Sequence, residues 1–140
     1  MARFVTIEDD GKSKAVSAVA VVDRLVIARD TALTTGDGKF YLQIPESIAG
    51  YTLTGIAVKL VTPSTSGLPS FALYNVTDSV DMLSTNVTVD ANETHSKDAT
   101  TAAVIDTTHD DVAYGDELRL DCDAAGTGAA GLYLILEFSS

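Results

Sequence analysis

Apolar residues in this chain recur at every second position in short runs, and each run is cut off by residues that turn a backbone. The clearest case is Leu118, Leu120 and Cys122, which alternate with Arg119, Asp121 and Asp123. Successive side chains of a strand point to opposite faces, so this run has one apolar and one polar face. Cys122 falls on the leucine face and is expected in the core, where a cysteine packs as a small hydrophobe. Asp121 and Asp123 are expected to face water. The glycines at 126 and 128 then turn the chain into residues 132–138, the most apolar run of all, which is expected at the centre of a sheet.

Other runs follow the same rule. Phe40, Leu42 and Ile44 alternate with Lys39, Tyr41 and Gln43, between Gly36-Asp37-Gly38 and Pro45, whose missing N–H ends a ladder. Within residues 53–62, Ile56, Val58 and Leu60 share a face, and a Ser/Thr/Gly loop follows at 64–67. Phe71, Leu73 and Asn75 oppose Ala72, Tyr74 and Val76. Residues 82–90 are rich in branched side chains and read as one further strand. Residues 91–101 are polar and without period, and 102–112 read as a loop or a short turn of helix that tucks Val104 and Ile105 inward. Near the start, Phe4, Val5 and Ile7 suggest a short strand and Asp9-Asp10-Gly11 a turn. Residues 13–22 fit one helical face as well as a strand, but the Val and Ile content of 19–28 favours extended structure. Strands roughly every 8–14 residues predict an all-β chain, a jelly-roll-like antiparallel β-sandwich with an N-terminal extended arm.

Composition excludes several function classes. A chain of 140 residues, 46% hydrophobic and 21% charged, is expected to fold as one globular domain. Nine basic against twenty acidic residues give a net charge of -11, which opposes wrapping nucleic acid by phosphate neutralisation. One cysteine makes no intrachain disulfide, and no run approaches the roughly 20 apolar residues of a membrane span. The first ten residues lack the basic and apolar regions of a secretory signal, so the sequons at Asn75, Asn86 and Asn92 are discounted. Charge is uneven: residues 1–39 are neutral and residues 40–140 carry the whole excess. The expected division is therefore an N-terminal arm with first strands over 1–39, which meets another protein surface, and a sandwich over 40–140 that faces solvent.

Candidate chemistry is sparse. His95 and His109 titrate nearest neutrality, but each sits in a polar stretch, and Ser96 beside His95 lacks the Gly-x-Ser-x-Gly elbow of a nucleophile. A Cys122–His109 thiolate pair is disfavoured by the apolar setting of the cysteine. Asp106, Asp110, Asp111, Asp116, Glu117, Asp121 and Asp123 crowd into the last third, without the spacing of an EF-hand loop, and read as solvated acidic surface. Gly126, Gly128 and Gly131 lack the Lys-Ser/Thr of a phosphate loop and precede a strand. No enzyme activity, cofactor or metal is expected.

The stretches Ile44-Pro45-Glu46-Ser47-Ile48-Ala49-Gly50-Tyr51, Asp81-Met82-Leu83-Ser84-Thr85, Val104-Ile105-Asp106, Gly115-Asp116 and residues 118–132 together resemble a domain of virion structural proteins of tailed bacteriophages. The resemblance covers roughly residues 40–138. It implies a jelly-roll or β-sandwich module that forms homotrimers on the outer surface of the virion, as head decoration protein, head fibre or tail-fibre part. No coiled-coil heptads or shaft repeats accompany the module, which favours a compact decoration protein bound to the major capsid protein. Its attachment would run through Arg3, Phe4, Val5, Ile7, Lys12 and Lys14, with strand addition by residues 4–7 as the mode. A host glycan is the alternative partner; Tyr41, Tyr51, Tyr74, Tyr114 and Tyr133 are its candidate platforms, against a low aromatic content of 6% and no Trp.

Overall fold

A computed structural model of the chain describes residues 4–9 and 12–140, with side chains from Ala18 onward. Its strands are β1 (Phe4–Asp9), β2 (Lys12–Ser17), β3 (Val19–Ala32), β4 (Gly36–Gln43), β5 (Thr52–Thr62), β6 (Ser70–Asn75), β7 (Val80–Asp81), β8 (Leu83–Thr85), β9 (Val87–Thr88), β10 (Val104–Ile105), β11 (Glu117–Ala124) and β12 (Ala130–Ser139). Helical structure among the described residues is confined to two 3-10 turns, Glu46–Ile48 and Ser96–Asp98. No helix among them is long and apolar enough to cross a membrane.

Two antiparallel sheets form the sandwich. The first has the order β3-β12-β5, the second β4-β11-β6-β7 with β9 also on β6. From β3 to β6 the chain alternates between sheets. It later returns to insert β11 between β4 and β6, and β12 between β3 and β5. This is the strand order of a jelly roll, and β12 is central as its unbroken apolar run requires.

The two inner faces make one core. Leu132, Leu134, Leu136 and Phe138 of β12 are fully buried, and they meet Leu118, Leu120 and Cys122 of β11 with Phe71 and Leu73 of β6. Cys122 stands in register with Phe71 on one side and Gly36 on the other, which places it on the leucine face of β11. Alternation alone positions all of these side chains, since paired residues on neighbouring strands share a face. Burial of such leucines contributes about 1.5–3 kcal/mol each, relative to leaving them exposed.

Two local readings change. Residues 82–90 are not one strand: β8 pairs with β10, whereas β9 pairs with β6. The switch falls at Asn86, whose side-chain amide donates to Ser70 Oγ (3.2 Å) and Asp123 Oδ2 (2.9 Å). Val104 does not tuck inward; it is exposed, while Val112 of the same loop fills the core. The sequence break after residue 39 lies inside β4, and β3 pairs along β12, so residues 19–39 are built into the sandwich. The expected arm is extended but folds back on itself, since β1 and β2 pair from Phe4 with Ser17 to Asp9 with Lys12.

Candidate interaction surface

The outer face of the β3-β12-β5 sheet exposes several large aliphatic side chains. Because Leu132, Leu134, Leu136 and Phe138 point inward, Tyr133, Ile135, Glu137 and Ser139 point outward. Register then aligns four outer rows: Val19 with Ser139, Val21 with Glu137 and Gly55, Asp23 with Ile135 and Ala57, and Leu25 with Tyr133 and Lys59. On β3, Val19 is 64% exposed, Val21 59% and Leu25 47%. A large aliphatic residue standing alone on a surface needs no explanation, but three on the outer face of one edge strand, interrupted by Asp23, form a patch of the kind that marks contact with another surface.

At the β5 side of this face a groove of about 270 Å³ lies between the sheet and the segment at 95–97. Asp23, Ala57, Lys59, His95, Ser96, Lys97, Tyr133 and Ile135 line it. The segment is fastened to β5 through its backbone. His95 bridges Lys59, Leu60 N–H donates to Thr94 O (2.8 Å), and Val58 N–H donates to Ser96 Oγ (3.0 Å). Arg29 reaches across from β3, its Nη1 donating to the Tyr133 hydroxyl at 2.9 Å.

On the opposite sheet the outer face is polar and tied together. Arg119 donates from Nε to Asp121 Oδ1 (2.7 Å) and from Nη2 to Asp121 Oδ2 (2.9 Å), and Gly38 N–H donates to Asp121 Oδ1 (2.9 Å). Its guanidinium lies 4.8 Å from the centre of the Tyr74 ring and 3.6 Å from Asp37. Asp121, expected to face water, is instead buried at 5% exposure, because Arg119 and the Gly38 backbone of β4 close over it. The Asp121 hydrogen bonds hold the guanidinium protonated more firmly than usual. Replacing Arg119 by Met leaves the Asp121 carboxylate with the Gly38 N–H and no countercharge; the expected loss is about 1–2 kcal/mol, reduced from a fully buried pair by partial solvent access. A thermal melt that shifts by less than about 1 °C would contradict that loss.

The sequence-selected residues fall in separate places. Phe4, Val5 and Ile7 lie on β1 and Lys12 and Lys14 on β2, where Ile7 pairs with Lys14; the side chains of these five, and Arg3 altogether, lie outside the described residues. One edge of β1 is occupied by β2, and among the described residues no strand pairs with the other. His95 is exposed with Nδ1 3.0 Å from Thr94 Oγ1, and the Ser96 hydroxyl serves as acceptor for Val58 N–H. His109 Nδ1 sits 3.1 Å from Asp106 Oδ2 on an exposed loop, whereas the Cys122 thiol is in the core, donates to Ala124 O, and is pushed up by burial. The two do not meet as a catalytic pair.

The acidic residues of the last third are spread over different duties. Asp106 accepts from the Thr108 hydroxyl (2.6 Å) and Thr108 N–H (3.0 Å), which with His109 hold its carboxyl below the usual range. Asp116 is buried and accepts from Asn75 Nδ2 (3.1 Å) and Ala113 N–H (3.0 Å), so it too departs from the expected solvated surface. Asp123 accepts from Asn86. Among the described residues no three His, Cys, Asp or Glu side chains are grouped to hold a metal ion.

Sequence reasoning missed the apolar outer face and the groove. The signal was present in Val19-Ala20-Val21-Val22, which is apolar at both alternating sets, but whether such a strand is covered on both faces depends on its place in the sheet. No known protein family, curated protein or solved structure matches the chain.

Proposed function

We propose that this chain is a decoration protein of the outer capsid surface of a tailed bacteriophage, a homotrimer that binds the major capsid protein through its N-terminal part and stabilises the shell. The observation that carries the reading is the row Val19, Val21 and Leu25, exposed on the edge strand that directly follows the β1–β2 hairpin. An apolar row of this kind loses water when covered, and a protein that binds only the assembled lattice shifts the equilibrium against disassembly. The hairpin carrying Phe4, Val5, Ile7, Lys12 and Lys14 is contiguous with it in sequence and belongs to the same attachment segment, together with Arg3. The acidic remainder, at -11, faces outward and keeps particles apart.

The test is binding to empty shells assembled from the major capsid protein. Deleting residues 2–14, or introducing Val19→Glu with Val21→Glu, should reduce occupancy at least about tenfold, with folding checked by the unchanged melting of each variant. Wild-type occupancy by both variants would overturn attachment through this segment. Gold-labelled antibody spread over virion heads is the expected distribution. Gold confined to tail tips would replace decoration by the second reading, a fibre module that binds host glycan, which the groove beside Tyr133 favours over the other tyrosines.

A further inference from the structure

We propose that the groove on the outer face of the β3-β12-β5 sheet is a binding site for an acidic, carboxylate-bearing saccharide. The inference stands apart from decoration, because it rests on the groove alone and holds wherever on a particle the protein sits. Residues 40–140 contain three basic side chains, Lys59, Lys97 and Arg119. Arg119 is consumed by Asp121 and Asp37 on the other sheet. The remaining two, Lys59 and Lys97, line one groove with His95, and among the described residues neither ammonium is in an ion pair. In a chain of charge -11, where acidic side chains outnumber basic ones two to one, a groove lined by two lysines against one carboxylate, Asp23, is a local exception of the opposite sign.

The lining specifies more than charge. Ala57, Ile135 and the Tyr133 ring offer an apolar base against which the C–H face of a pyranose packs, while the Tyr133 hydroxyl is held in place by Arg29 at 2.9 Å. Lys59 and Lys97 donate to a carboxylate, and Asp23 at the opposite side accepts from sugar hydroxyls. A peptide is denied the backbone at the groove: the β5 donors at Val58 and Leu60 are already taken by Ser96 and Thr94, so no strand can be added there. A second hollow of about 340 Å³ adjoins the first and shares Ala57, Ser96 and Lys97 with it, continuing past Ile56 to Ala102 and Ala103. Lys97, shared by the two hollows, would sit between adjacent units of a short linear oligosaccharide laid along them.

The full-length protein is titrated with trigalacturonate and with trimeric sialic acid, followed by amide chemical shifts, with maltotriose and hexaglutamate as the neutral and peptide counterparts. The expected result is saturable binding of at least one acidic trisaccharide, shifts centred on residues 57–59, 95–97 and 133–135, and weakening by added salt. Lys59→Ala with Lys97→Ala should cut affinity about tenfold or more, and Tyr133→Ala should do likewise for an aromatic floor contact. Both lysines lie at the surface groove, and the melting temperature of the double variant reports that the fold is kept. Absence of binding by both acidic trisaccharides, equal binding of maltotriose or hexaglutamate, or an affinity unchanged in the lysine double variant would each overturn the proposal.

Discussion

Replacing Phe138 by alanine is expected to cost about 3–5 kcal/mol, close to the entire stability of a marginal domain. Phe138 is fully buried on the central strand, in register with Ala20 of β3 and Leu53 of β5. Truncation removes the ring from both the β3 and β5 sides at once, and the flanking strands cannot close the hole without breaking the ladder that holds β12. For a chain of this size the loss corresponds to a melting temperature lower by roughly 10–20 °C. Urea unfolding should show a lower midpoint with an unchanged slope, and Val21→Ala on the exposed side of β3 should move the midpoint little. A Phe138→Ala loss below about 1.5 kcal/mol would mean that the two sheets are less tightly joined than their burial indicates.

Gly131→Ala is expected to be nearly as damaging, although it adds only a methyl group. Gly131 has φ of +71°, is buried, and lies where the β12 register slips against β3 between Ala130 and Leu132. An added Cβ would stand 2.6 Å from Val61 Cγ2 and 2.8 Å from the Arg29 carbonyl oxygen. A left-handed backbone costs a non-glycine residue about 1–2 kcal/mol. Relieving the contact with a backbone carbonyl needs movement of β3 itself, so the total is about 2–4 kcal/mol. The comparison is Gly50→Ala, where φ is +82° but a Cβ meets nothing within 4 Å. If both variants melt at the same temperature, packing around Gly131 contributes nothing beyond its dihedral strain.

Much of the sandwich was legible because alternation is a local property. Leu118, Leu120 and Cys122 face the core as their spacing requires, and the run at 132–138 lies at the centre of its sheet. The segment at 82–90 misled because branched residues report a liking for extended backbone and carry no information about which strand is met; its two halves join different partners. Asp121 misled for a related reason. Its place on the polar face of β11 was readable, but the Arg119 and Gly38 groups that cover that face come from the same strand two residues back and from β4, 83 positions away. Lys59, Lys97, His95 and Tyr133 were individually visible as residues, and their meeting on one sheet face is a product of register across β5 and β12, which spacing along the chain does not encode.

The central position of β12 also governs how the molecule is made. Ala18 at the start of the β3 ladder and Ser140 beyond β12 are hydrogen-bonded across 122 positions of sequence, and β5 waits for the same strand. Neither flanking strand has its partner until nearly all of the described chain has left the ribosome, so the first sheet cannot assemble stepwise from its own neighbours. Folding dominated by such distant pairings is slow, on the order of milliseconds to seconds, with long strands such as β3 unpaired in the interval. During that interval the edge that later carries Val19, Val21 and Leu25 is bare on both sides, and crowding at high expression exposes nascent chains to one another before β12 can arrive.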